Sequence, residues 1–147
     1  MYLARLFLGM PQSVSSSYGY VTGREVEDNA VAVLNYANGA VGIAEAGFVN
    51  PSSPFVIEIH GTKGSLLYST HDNRLLVRST ELENKEWHAL TDLPDSKESA
   101  FSQWVNHIKN ETVASENIQM AVDLTTLMHA SNLSAKAGKA IALDQLA

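Results

Sequence analysis

Residue types that commonly carry chemistry occur in this chain, but their spacing does not assemble a catalytic or metal-binding constellation. The histidines show no H-x-H or H-E-x-x-H spacing, and no two share a helical face four residues apart. They are His60, His71, His88, His107 and His129. No cysteine is present, which excludes disulfides, thiolate nucleophiles and cysteine-ligated zinc. We therefore predict no catalytic residue and no metal site in this chain.

Two other clusters have a structural explanation that suffices. Glu25, Glu27 and Asp28 could bind a cation, but a solvated turn explains them better, because no glycine-anchored loop of oxygen ligands surrounds them. The turn at 61–64 (GTKG) resembles a truncated phosphate loop, yet a strand-like run follows, so no helix N-terminus is there to hold a phosphate. No G-x-G-x-x-G motif is present, so we expect no cofactor site in this chain.

Composition indicates one ordinary globular domain and excludes several classes of partner. The 45% hydrophobic and 18% charged residues are not those of a disordered segment. A net charge of −6 with scattered basic residues argues against nucleic-acid binding. Apolar runs are far shorter than the ~18–20 residues that span a bilayer, and the N-terminus lacks a secretory cleavage pattern. We expect a cytoplasmic protein that contacts no membrane.

Period-two patterning predicts six or seven strands in the first two thirds of the chain. A short N-terminal helix ends near Gly9 and Pro11, and the alternation of strands begins at Gln12. Asn38-Gly39 predicts a hairpin with a type I′ turn, and the two prolines in 50–54 end the strand that follows it. Because the connections are short, an antiparallel meander is favoured over a parallel sheet.

The last third changes to a helical period. Asp95 and Glu98 form a capping-box pattern, and an apolar stripe with i, i+3, i+4, i+7 spacing follows from Phe101 to Ile108. A second helix is predicted over 116–137 with a C-cap at Gly138, and 141–143 could form an edge strand. The predicted fold is α+β, an open and mainly antiparallel sheet with helices on one face.

Several predicted strands are apolar at consecutive positions. The runs are 30–34, 66–67 and 75–77, whereas a sheet with one solvated face should alternate cleanly. The chain has too few helices to cover both faces of such a sheet. We therefore predict a homo-oligomer in which the open face of the sheet pairs with a second copy.

Three segments resemble the Gfo/Idh/MocA family, the glucose–fructose oxidoreductase and inositol dehydrogenase group. Residues 27–42 (EDNAVAVLNYANGAVG) are similar to its central hairpin, and 58–66 (EIHGTKGSL) to its I-x-G-T-x-G-S hairpin. Residues 134–139 (SAKAGK) resemble the end of its last helix. Each motif is moderately specific, and the three in this order and spacing cover most of the chain.

The resemblance implies a two-domain oxidoreductase. An N-terminal Rossmann domain would bind NAD or NADP and carry a catalytic lysine. A dihydrodipicolinate-reductase-like C-terminal domain would pair subunits and help enclose a sugar or polyol substrate. This chain would correspond to that C-terminal domain, which makes Glu45, Phe48 and Asn50 candidate substrate-binding residues. Sheet surface or a dimer contact explains the same three residues equally well.

The resemblance also predicts where the catalytic residues lie. The helix carrying D-x-G-x-H-x-x-D-L in the family aligns its final aspartate with Tyr2, which puts the catalytic histidine two residues upstream of Met1. The chain is therefore expected to be inactive by itself. Three hypotheses remain open: a C-terminal part of such an oxidoreductase, a stand-alone dimerisation or sugar-binding module, and an unrelated α+β interaction domain.

Overall fold

The computed structural model describes residues 1–82 and 84–146 and shows an α+β protein with antiparallel sheets, which confirms the predicted fold class. The strands belong to two compact units. Unit 1 comprises Met1–Asn50 and the chain from Ala100 onward, and unit 2 comprises Pro51–Ser99. The strands are divided at the predicted break, where Pro51 and Pro54 cannot donate to a strand ladder.

Unit 1 is built on a four-stranded antiparallel sheet. Its strands β1 (Ser13–Gly19), β2 (Asn29–Asn35) and β3 (Val41–Gly47) lie in the order β3-β2-β1. The predicted C-terminal edge strand, β8 (Ile141–Ala142), pairs with β1, and a 3₁₀ helix at Leu143–Leu146 follows it. Alternation along these strands gives the sheet one buried face and one open face.

The β2–β3 hairpin forms where it was predicted, but with a different turn. The amide of Tyr36 donates to the Ala40 carbonyl, and the amide of Gly39 donates to the Tyr36 carbonyl. Within this turn only Gly39 has a positive φ, 83°. A type I′ turn would need a positive φ at Asn38 as well, so the type I′ prediction is wrong. A three-residue loop needs one left-handed residue, and glycine adopts that conformation without a steric penalty.

Two short helices flank the strands in sequence. The predicted N-terminal helix is α1 (Tyr2–Leu8), and α2 spans Ala100–Lys109. The capping-box prediction is wrong, because 91–99 is exposed and non-helical, and α2 starts five residues after Asp95. A capping-box pattern contributes only about 1 kcal/mol to a helix start, which is not enough by itself to order an exposed segment. The apolar stripe of α2 is also exposed, since Trp104 retains 58% of its accessible surface.

Helix α3 (Ser115–Ala137) covers one face of the unit 1 sheet and ends, as predicted, at Gly138 in the left-handed conformation. The sequence pattern predicts a buried side formed by Met120, Leu124, Leu127, Met128, Ser131 and Ala135. Leu127 and Ser131 are buried as predicted, whereas Met128 is exposed, and two polar residues outside the prediction, Asp123 and Ser134, are buried as well. Among the described residues, no helix combines the length and apolar character needed to cross a membrane.

The core of unit 1 lies between α3 and the sheet. It consists of Val14, Ala32, Leu34, Tyr36, Leu127 and Ala130. Beside it, hydroxyl groups join β1 to α3: Ser16 Oγ lies 2.7 Å from Ser131 Oγ, and the Tyr18 hydroxyl donates to Ser131 Oγ at 2.8 Å. Buried polar groups are tolerated when their hydrogen bonds are made, so this seam fixes the position of α3 on the sheet.

Unit 2 is a second antiparallel sheet of strands in sequential order. These are β4 (Val56–Gly61), β5 (Gly64–Ser69), β6 (Arg74–Ser79) and β7 (His88–Ala89). No described residue of this unit is fully buried. One face carries six apolar side chains at consecutive cross-strand positions: Ile57, Ile59, Leu66, Tyr68, Leu75 and Val77.

Candidate functional site

The three candidate substrate-binding residues lie at the end of β3. Glu45 is on the strand and faces the open side of the sheet, opposite Val31 of β2. Its carboxylate makes no hydrogen bond or ion pair with a described residue, so it is available to a ligand. Phe48 follows the strand with its side chain 81% exposed, and Asn50 is exposed at the end of this segment.

Asp28 organises the end of the sheet beside Phe48. Its carboxylate accepts three hydrogen bonds, from the Val21 amide at 2.9 Å and from the amide and hydroxyl of Thr22, both at 2.6 Å. Its carbonyl accepts the Phe48 amide at 2.8 Å. One residue therefore ties the loop after β1 to the segment after β3.

The sequence-based interpretation of Asp28 as part of a solvated turn is wrong, because only 2% of this residue is exposed. Hydrogen bonds from the Thr22 hydroxyl and from the Val21 and Thr22 amides hold the pKa of Asp28 below its ordinary value. These donors favour the charged carboxylate over the protonated acid.

The open face of the unit 1 sheet is apolar at its centre. Ser15 of β1, Val33 of β2 and Ile43 of β3 are cross-strand neighbours in one row, and Val31 pairs with Glu45 in the next. Ile43 is 70% exposed and Val41, two residues before it on the same face, is 58% exposed. We call the four residues Val31, Val33, Val41 and Ile43 the open-face patch. Exposed β-branched side chains in such a patch are typical of a surface that binds a partner.

Helix α1 is fixed to α3 by an ion pair that the sequence did not reveal. Arg5 Nε donates to Asp123 Oδ2 at 2.7 Å, and Arg5 Nη2 lies 2.6 Å from the same oxygen. Gln119 donates to the other oxygen, Oδ1, at 2.8 Å. The bonds from Gln119 and then from Arg5 hold the pKa of Asp123 below its ordinary value. A separation of 118 residues along the chain hides this contact from sequence patterns.

A nicotinamide dinucleotide does not fit the residues that the structure describes. All strand pairs in 1–82 and 84–146 are antiparallel. A dinucleotide site needs a parallel strand–helix–strand unit, in which a glycine-rich turn presents a helix N-terminus to the pyrophosphate. We therefore assign no step of hydride transfer to these residues.

Comparison with known proteins supports the resemblance seen in the sequence. Residues 1–67 match the family model described as the GFO/IDH/MocA C-terminal domain. The chain matches no curated protein sequence.

Solved structures share the fold over nearly the whole chain. An oxidoreductase from Agrobacterium radiobacter, in complex with NAD+, L-tartaric acid and magnesium, is 21% identical with a TM-score of 0.77, and the match covers 99% of this chain and 47% of that one. A levoglucosan dehydrogenase in complex with NADH and levoglucosan is 19% identical, with a TM-score of 0.68 and coverage of 95% and 47%.

An NAD binding oxidoreductase from Klebsiella pneumoniae is 16% identical, with a TM-score of 0.74 and coverage of 97% and 47%. At these identities the likeness shows the fold. The chain spans about half the length of each of these solved relatives.

Proposed function

Because the resemblance to the C-terminal domain of the GFO/IDH/MocA family is confirmed, we propose that this chain is the substrate-binding and oligomerisation part of an NAD(P)-dependent sugar or polyol oxidoreductase. The observation that carries the proposal is the fold match, which includes 99% of this chain but 47% of an NAD+-bound oxidoreductase. The levoglucosan complex of a second match supports a sugar-type substrate.

The substrate would meet this domain at the end of β3. The Glu45 carboxylate accepts hydrogen bonds from hydroxyl groups, which are the groups a polyol presents. Phe48 offers an exposed apolar surface to the C–H groups of a sugar ring. The Asp28 contacts hold the backbone of this segment, so Asp28 acts as a positioning residue and Glu45, Phe48 and Asn50 act as the binding residues.

The anchoring of α1 has a role in the same proposal. The resemblance implies that the catalytic histidine is carried by the family helix to which α1 corresponds. Arg5 and Asp123 join α1 to α3, and α3 packs on the sheet whose strand β3 carries Glu45. The ion pair therefore fixes the orientation of α1 relative to the substrate-binding residues. Alignment of reacting groups within about 3–3.5 Å is what hydride and proton transfer require.

Oligomerisation would use the open-face patch, with a second copy of this chain as the partner. Ile43 and Val41 are exposed side chains at the centre and one end of the open face. Burying them against an identical surface removes apolar area from water at about 25 cal/mol per Å². A two-fold axis through the face would place the same residues opposite each other, which is the usual arrangement in a homodimer.

Substrate binding by the domain tests the proposal. We expect a ¹H–¹⁵N correlation spectrum titrated with inositol, sorbitol and levoglucosan to shift the amides of residues 45–50 saturably for at least one polyol. Substitution Glu45→Gln should weaken that affinity about 5- to 10-fold, since it removes the charge that strengthens the hydrogen bonds. The matched substitution Asp144→Asn, at an exposed carboxylate of the same unit, should change it less than twofold. Saturable shifts confined to other residues would contradict the proposed site.

A further inference from the structure

A cleft lies within unit 2, so it is separate from the candidate substrate-binding residues at the end of β3, which belong to unit 1. It has a volume of about 300 Å³ and lies between the β4–β5 turn on one side and Arg78, Ser79, Thr80 and Lys85 on the other. The lining combines two cationic side chains, hydroxyl side chains and glycine backbone. The cations are Arg78 and Lys85, the hydroxyl groups include those of Thr62 and Ser65, and the glycines are Gly61 and Gly64.

Backbone contacts build this cleft. The Lys63 carbonyl accepts hydrogen bonds from the Thr80 amide at 2.9 Å, from Ser79 Oγ at 3.0 Å and from Thr80 Oγ1 at 3.2 Å. These bonds hold the β4–β5 turn against the end of β6. A Cβ atom at position 64 would collide with the Arg78 carbonyl oxygen, so the close approach of the two strands requires Gly64.

The two cations of the cleft make no ion pair with a described carboxylate, whereas two other cations of the unit do. Lys63 Nζ pairs with Glu81 at 2.7 Å, and Arg74 Nε pairs with Asp72 at 2.9 Å. In contrast, Arg78 and Lys85 make no ion pair with any described residue. The lining residues include no carboxylate. The lining of the cleft therefore has a net positive charge, on a protein whose net charge is −6.

The guanidinium of Arg78 is held in place by its own hydrogen bond. Its Nε donates to the Lys85 carbonyl at 2.8 Å, which leaves the two terminal nitrogens for another acceptor. Ser65 is the cross-strand neighbour of Arg78, and its Oγ lies 2.9 Å from His60 Nδ1. Arg78 therefore presents a fixed pair of donors beside a hydroxyl group and a lysine.

We propose that this cleft binds a phosphate group, either as inorganic phosphate or as the phosphate of a phosphorylated sugar. A guanidinium with two free nitrogens matches the oxygens of a phosphate in a bidentate pair, and lysine adds a point charge. Gly61 has no side chain, and a Cβ atom there would meet only the Gly64 carbonyl oxygen at 3.8 Å, so an anion can approach the main chain at this position. The volume is at the lower end of the range for small-molecule sites, which suits a ligand no larger than a monosaccharide phosphate.

The experiment is a titration of the full chain, followed by ¹H–¹⁵N correlation spectra at low ionic strength, where screening is weak. Inorganic phosphate, glucose 6-phosphate and glucose form three arms. We expect saturable shifts at Gly61, Thr62, Gly64 and Ser65 with both phosphate-containing ligands and none with glucose. Tighter binding of glucose 6-phosphate identifies a sugar phosphate as the ligand, and equal binding identifies the phosphate group alone. No saturable shift at the cleft, or an equal response to glucose, would overturn the proposal.

Substitutions distinguish phosphate binding at this cleft from a general attraction of the anion to positive charge on the protein. Arg78→Gln should weaken phosphate binding at least ~10-fold, and Lys85→Gln about 3-fold. Each substitution removes one positively charged side chain that would attract the phosphate. Arg74→Gln is the matched control on the same strand, and it should change affinity less than twofold because Arg74 already pairs with Asp72. A dispersed spectrum checks that each variant is folded. Equal weakening by Arg74→Gln and Arg78→Gln would show diffuse charge attraction and would also overturn the proposal.

Discussion

Replacing Ile43 with glutamate is expected to convert the proposed homodimer into a monomer. Ile43 lies at the centre of the open face, where it is 70% exposed, so the substitution costs the isolated subunit little. In a dimer the introduced carboxylate would be desolvated against the same carboxylate of the partner. Burying unpaired like charges at an interface centre should raise the dimer dissociation constant at least ~100-fold. Sedimentation velocity over a range of protein concentrations measures this shift.

A control substitution on the other side of unit 1 distinguishes a specific effect at the open face from a general effect of added surface charge. Val122 lies on α3 and is 54% exposed, so Val122→Glu adds the same charge at a comparable apolar position. We expect Val122→Glu to sediment as the unmodified chain does. Equal dissociation by both variants, or a dimer that persists in Ile43→Glu, would exclude the open-face patch as the interface.

Replacing Asp28 with asparagine is expected to lower the melting temperature at neutral pH by roughly 5–10 °C. The carboxylate accepts hydrogen bonds from the Val21 amide and from the amide and hydroxyl of Thr22. An asparagine of the same shape has one acceptor oxygen and turns its NH₂ group toward a donor. The loop after β1 then loses part of its attachment, and the Phe48 segment loses its fixed neighbour.

The same variant should also change how stability depends on pH. The folded-state pKa of Asp28 is below its ordinary value, so its contribution is complete above the unfolded pKa of about 3.9 and is lost as the pH falls through the folded pKa. Asp28→Asn should flatten the acid side of the stability curve, as measured by thermal melts in steps below pH 5. The control Glu25→Gln, in the same loop but exposed, should leave both the melting temperature and the acid slope unchanged. An unchanged acid slope in Asp28→Asn would contradict the role assigned to Asp28.

Local signals predicted most of the elements of this fold. Period-two patterning located β1 to β6, and the sequence around Gly138 located the end of α3, because both signals are confined to a few neighbouring residues. The capping-box pattern at Asp95 is equally local, but the helix that it predicted does not form there. A local motif favours a helix only slightly, and 91–99 is exposed, so little apolar burial is available to stabilise a helix there.

The contacts that position the candidate site were beyond sequence reasoning. Arg5 and Asp123, and likewise Tyr18 and Ser131, are more than one hundred residues apart along the chain. Asp123 and Ser134 are buried but polar, so they do not belong to the apolar stripe by which a buried helix face is recognised. Only the paired hydrogen bonds make their burial favourable. The sequence argues against a phosphate at the 61–64 turn, because the cations of the proposed cleft, Arg78 and Lys85, follow that turn by more than a dozen residues.

The most direct test of the central claim is a hydride-transfer assay on the purified chain. NAD⁺ or NADP⁺ is mixed with the chain and each member of a sugar and polyol panel, levoglucosan included, and absorbance at the reduced nicotinamide band is followed over time. A complete oxidoreductase of this family serves as the positive control. We predict no substrate-dependent formation of NADH or NADPH, because the described residues hold neither a dinucleotide site nor a base beside it. Turnover that scales with the concentration of this chain would contradict the proposal that it is the substrate-binding and oligomerisation part of an oxidoreductase and inactive by itself.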